Sequence, residues 1–206
     1  MFNIIRIVLC AVIVLMLLCI VKFTHIKRRT AVLMVIVCTG MVVISGIFPT
    51  ENLFIKFRSP YDVFHYVMSG DVKGLLNGKN SCAVIYSDGK YDGGNLIIPK
   101  VEDGYQIPNY FMSKRVSHRF DRNGTFDIYQ VSETEDYYLF GTVLSTETDI
   151  RITDVAGRPA GCIITEMGND NVKNIYLYMY TDDLSDFEFL IINGKGYNRS
   201  YSKQNG

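Results

Sequence analysis

Ile175-Tyr176-Leu177-Tyr178-Met179-Tyr180 alternates aliphatic or thioether side chains with tyrosines over six positions, and that alternation decides the fold. Successive strand residues point to opposite faces, so the three tyrosines share one face and Ile175, Leu177 and Met179 the other. A tyrosine stripe of this kind is either a ligand-stacking surface or a half-buried sheet face. Cross-strand aromatic packing favours the sheet face.

Outward from this segment the same chemistry repeats. Short runs rich in β-branched and aromatic residues occur at 83–86, 96–98, 126–131, 137–144, 150–152, 162–164 and 187–192. Turn residues separate them: Asp88-Gly89, Asp103-Gly104, Asn123-Gly124, Gly168-Asn169-Asp170 and Asn193-Gly194. About eight to ten strands at this spacing predict a mainly antiparallel β domain, sandwich or barrel-like, over 81–206. One short helix is expected at about 60–68, inside a connector over 49–80. Ser59 caps it, Pro60 fills its first turn, Asp62 favours its positive end and Gly70 stops it.

The first 48 residues read differently. Apolar runs at about 4–23 and 31–48 flank a basic loop at 22–30 that holds Lys22, Lys27, Arg28 and Arg29. Runs of this length predict a transmembrane helical hairpin, since about 20 residues cross a bilayer core. The expected fold class is therefore an N-terminal transmembrane α-hairpin followed by the β domain. The positive-inside rule puts the basic loop in the cytoplasm, giving a multi-pass plasma-membrane protein, N-out and C-out, with an extracytoplasmic domain. Cleavage after Ser45 is the competing reading of the second run. Thr39 and Gly46 share a face that suits close helix packing.

Charge follows the same division. All twenty-one acidic residues lie after residue 50, so a first half-century of +5 balances a remainder of −5. An acidic domain argues against nucleic acid, whose phosphates demand clustered Lys and Arg. Cys82 and Cys162 are the two cysteines after residue 50. They form either a disulfide worth about 4 kcal/mol or two separate buried thiols.

Chemistry is sparse. His25, His65 and His118 are the only histidines, and neither of the latter two lies in a nucleophile motif. The best metal candidate is the loop Asp88-Gly89-Lys90-Tyr91-Asp92-Gly93-Gly94-Asn95, where Asp88, Asp92 and Asn95 could offer oxygen ligands to calcium. It lacks the terminal Glu of the twelve-residue calcium loop, and a β-turn is the simpler reading. Glu133, Glu135 and Asp136, and likewise Asp182, Asp183 and Asp186, read as solvated turns. No cofactor motif is present.

The order of an apolar hairpin, Ser59-Pro60-Tyr61-Asp62-Val63-Phe64, Ser81-Cys82-Ala83-Val84-Ile85-Tyr86, Ile97-Ile98-Pro99-Lys100 and Ile191-Ile192-Asn193-Gly194 with Tyr197 resembles small two-span membrane proteins of Gram-positive bacteria. Tyr61 and Val63 stand where that group usually has Glu and Ala. The resemblance implies a cell membrane and a β-rich outer domain, and it carries over no catalytic residue. The expected function is display of the β domain for protein or envelope interaction, with the bilayer and another membrane or envelope protein as partners. The alternatives are a tethered hydrolase using scattered carboxylates and a small accessory or sensor subunit of a membrane complex.

Overall fold

The computed structural model describes residues 28–88, 92–121, 124–146, 151–167, 172–187, 189–192 and 195–198, with isolated positions before residue 28. Helix α1 covers Arg28–Ile47 and is followed by a 3-10 turn, Thr50–Leu53. Helix α2 covers Pro60–Val67. The strands are β1 Asp71–Asn77, β2 Ser81–Ser87, β3 Asp92–Val101, β4 Gly104–Tyr105, β5 Ser113–Asp121, β6 Gly124–Val131, β7 Tyr137–Ser145, β8 Ile152–Thr153, β9 Gly161–Met167, β10 Val172–Thr181, β11 Phe189–Ile192 and β12 Lys195–Asn198. Every strand pairing among the described residues is antiparallel.

The strands form three sheets, in the orders β1-β2-β3-β4, β5-β6-β7-β10-β9 and β12-β11-β8. The whole is mostly antiparallel β with a curled, half-barrel sheet. Period-two alternation explains the stacking, because the central strands bury both faces. On β7, Tyr138 and Phe140 face Ala83, Ile85 and Ile97 of the first sheet. Leu139 and Val143 face the other way, toward Ile152 and Phe187. A third layer of packing lies outside the first sheet, where Val63 and Phe64 of α2 cover Val84 and Ile98.

Helix α2 forms as its capping residues dictate. The Asp62 amide donates to Ser59 Oγ at 3.2 Å and the Ser59 amide donates to Asp62 Oδ2 at 3.1 Å, a reciprocal capping box. Pro60 occupies the first turn, and the helix ends at Val67, three residues before Gly70. The sheet then begins at Asp71, ten residues upstream of the expected start at 81.

The expected transmembrane hairpin is not part of this fold. Among the described residues no helix is long and apolar enough to cross a membrane. The run at 4–23 lies mostly outside the described residues. Helix α1 is continuous from Arg28 to Ile47, opens on Arg28-Arg29-Thr30 and carries Thr39, Gly40, Ser45 and Gly46 among its apolar residues. The multi-pass plasma-membrane placement, N-out and C-out, loses its basis with the hairpin. Lys22 is exposed, Lys27 lies outside the described residues, and Arg28 and Arg29 open α1.

Candidate functional site

The seam between the first two sheets holds the densest polar chemistry. Asp136, in the turn between β6 and β7, is fully buried. Its Oδ1 accepts from the Lys79 amide at 3.0 Å and from the Tyr180 hydroxyl at 3.0 Å. Its Oδ2 accepts from the Asn80 amide at 2.8 Å and from Ser81 Oγ at 2.6 Å. A carboxylate has about four acceptor positions, so this one is saturated. Ser81 spends its single proton on Asp136, which makes Tyr138 the donor in the 2.8 Å contact between the Tyr138 and Ser81 hydroxyls. Burial raises the Tyr138 phenol far above its ordinary value, and pushes Tyr180 up to about 12 with help from its bond to Asp136.

Lys79, Asn80 and Ser81 lie at the β1–β2 turn, whereas Asp136 and Tyr180 belong to the next sheet, so Asp136 pins the two sheets at one end. Asn95 pins them at the other, donating from Nδ2 to the Tyr176 hydroxyl at 3.1 Å. Between the pins run Tyr176, Tyr178 and Tyr180, the stripe on which the sequence reading turned. Tyr176 is buried and its phenol is pushed up to about 12 by that burial. Its ring lies on the bare backbone of Gly93, and the Tyr178 ring on that of Gly161. The stripe is a packing seam of the half-buried kind.

A second polar knot closes the far side. Asp154 is fully buried and accepts from the Arg158 amide at 2.8 Å and from Arg158 Nε at 2.6 Å. The same guanidinium reaches Asp186, which also accepts from Thr181 Oγ1. Asp186 therefore belongs to a clasp and not to a solvated turn. Asp182 pairs with Lys79 Nζ at 2.7 Å, and that pairing holds its carboxyl below the usual range.

A third group sits on β5 and β6. His118 Nδ1 lies 2.8 Å from Asp127 Oδ1, and Arg115 Nη1 donates to the same oxygen at 3.3 Å. A bulge between Arg115 and Ser117 turns residues three apart onto one face.

The metal candidates lie on the β2–β3 hairpin. Asp88 is exposed at the end of β2, residues 89–91 lie outside the described residues, and Asn95 is engaged with Tyr176. Asp92 begins β3. Among the described residues no three His, Cys, Asp or Glu side chains are grouped to hold a metal ion. Cys82 and Cys162 are both free thiols. Cys82 is buried on β2, and burial raises its thiol to about 11; Cys162 is exposed on β9.

The remaining feature is apolar and went unread in the sequence. Asn52 Nδ2 donates to the Ile107 carbonyl at 2.8 Å and its Oδ1 accepts from the Ile107 amide at 2.9 Å. These two hydrogen bonds bring the segment after α1 against the loop before β5. Phe48 packs on Phe111 with ring centroids 6.3 Å apart, and Phe111 on Tyr110 at 5.3 Å. Phe54 is 87% exposed and Tyr110 is 82% exposed. Aromatics in loops were the available signal.

No family model matches the chain, and no curated protein or solved structure is significantly similar to it.

Proposed function

We propose that the chain is a non-catalytic interaction subunit, in which the pinned β domain presents α1 and the aromatic patch at its end for burial against a protein partner. The observation that carries this reading is Val32 to Val37: six consecutive apolar residues, all exposed. Six helical positions turn through more than one full revolution, so the apolar surface has no solvent-facing side. A helix of that kind is covered in its working state. Phe48, Leu53, Phe54, Tyr110 and Phe111 continue the exposed apolar surface onto the domain. The buried carboxylates support the same reading, since Asp136 and Asp154 have their oxygens committed to holding sheets and loops together.

The test is position-specific photocrosslinking in cells expressing the full chain. A benzophenone side chain at Leu33 or Phe54 is expected to give one discrete protein adduct, with none from Lys73 on β1. The double variant Leu33→Gln, Ile36→Gln is expected to abolish the Phe54 adduct and leave thermal unfolding of the β domain unchanged. Adducts to lipid alone, or the same pattern from Lys73, would overturn the reading.

A further inference from the structure

Among the described residues, strand β5 concentrates basic side chains in an otherwise acidic domain. Lys114, Arg115, His118 and Arg119 all fall in the six positions 114–119 of β5, while the chain after residue 50 carries a net −5. Strand β5 is also an end of the five-stranded sheet, paired with β6 and with no other described strand. An edge strand offers a row of backbone donors and acceptors to any extended chain that approaches it.

The side chains add selectivity to that edge. Lys114, Arg115 and His118 are exposed. The bulge places Arg115 and His118 together over Asp127, on the face that continues into Tyr129 and Phe140. Arg115 spends one long 3.3 Å bond on Asp127, which leaves most of its five N–H donors directed elsewhere. Nδ1 of His118 faces Asp127, so Nε2 is the ring nitrogen left to meet an incoming group. Asp127 thus orients the Arg115 guanidinium and the His118 ring together at the strand edge.

We infer that β5 is a docking edge for an acidic, extended segment of a partner protein, added as a further strand of the five-stranded sheet. Main-chain pairing along β5 supplies register, Arg115 and His118 select carboxylates on alternate residues, and Lys114 adds positive charge from the opposite face. This surface is separate from α1 and its aromatic patch, and its test needs no knowledge of the partner buried there.

The probe is a fluorescein-labelled peptide of alternating Glu and Val, titrated with the full chain by anisotropy. Binding is expected to weaken steeply with added salt and to fall by about tenfold or more in the variant Lys114→Glu, Arg115→Gln. A matching peptide of alternating Lys and Val is expected not to bind. The same acidic peptide with alternate backbone amides methylated is expected to lose binding, because it cannot complete the ladder. Equal binding of the methylated peptide, or of polyphosphate in competition at matched charge, would show simple charge attraction and overturn strand addition. An unchanged affinity in the charge variant, with its thermal unfolding also unchanged, would overturn the site itself.

Discussion

The hydroxyl of Tyr180 donates to Asp136 Oδ1 at 3.0 Å and accepts from the Lys79 amide at 3.1 Å, so one phenol closes a ring between the second sheet and the turn of the first. Removing the carboxylate strands three donors and leaves the Lys79 amide only its bond to Tyr180. Asp136→Ala is expected to cost about 3–5 kcal/mol, in the range found when one partner of a buried charged network is deleted. Asp136→Asn keeps the shape but turns one acceptor into a donor facing donors, and is expected to recover only part of that loss. Urea unfolding followed by far-UV circular dichroism checks both, and a stability within about 0.5 kcal/mol of the wild type in Asp136→Ala would refute the pinning role.

Alkaline pH should unlock the seam. Tyr176 and Tyr180 have folded-state values pushed up to about 12, chiefly by burial, against an ordinary value of 10.0. The sign follows directly: above pH 10 the unfolded chain releases phenol protons that the folded chain still holds, so stability falls as pH rises. The contribution is fully present below about pH 10 and is lost on the way to about pH 12. Phenolate absorbance is expected to rise cooperatively with unfolding in this window, and Tyr176→Phe with Tyr180→Phe to flatten the dependence. A gradual rise at the ordinary phenol value, with the fold intact, would contradict it.

Two glycines with positive φ should respond differently to a methyl group. Gly93 has φ 100°, and a Cβ there would strike the Tyr176 ring; Gly157 has φ 78° with open space around it. Gly157→Ala is expected to cost about 1 kcal/mol from backbone strain alone. Gly93→Ala adds displacement of a buried ring and is expected to cost about 3 kcal/mol or more. Paired melts of the two variants decide the order.

The thiols of the β domain should separate by access. In a variant with Cys10, Cys19 and Cys38 replaced by Ser, a neutral maleimide is expected to label Cys162 in the native protein and Cys82 only after denaturation. Burial and a thiol raised to about 11 both protect Cys82. Intact-mass analysis counts the labels, and zero labels before reduction would reveal a bond between the two.

The elements that were legible in the sequence are those whose signal is local. Strands β7 and β10 announce themselves because both faces are buried and the period of two is unbroken. Helix α2 is readable because Ser59, Pro60 and Asp62 fix its start through contacts three residues apart. Strand β5 escapes notice because Ser-Lys-Arg-Val-Ser-His-Arg is the polar composition of an edge and its alternation slips at the bulge. Strand β1 is obscured in the same way by the bulge between Val72 and Gly74. Asp136 reads as a loop acid beside Glu133 and Glu135, and only docking of a turn more than fifty residues away buries it. Hydropathy alone overreached at the N-terminus, where it suggested two spans that no described helix supplies.

The chain has fourteen tyrosines and no tryptophan, and five of those tyrosines, Tyr129, Tyr138, Tyr176, Tyr178 and Tyr180, line the joint between the first two sheets. A substantial share of its intrinsic ultraviolet signature therefore comes from rings whose environment is that joint. Near-ultraviolet dichroism, which needs no label, becomes a gauge of whether the two sheets are engaged, while far-ultraviolet dichroism reports the strands themselves. A state in which the sheets persist but have parted would be visible as the loss of one signal without the other.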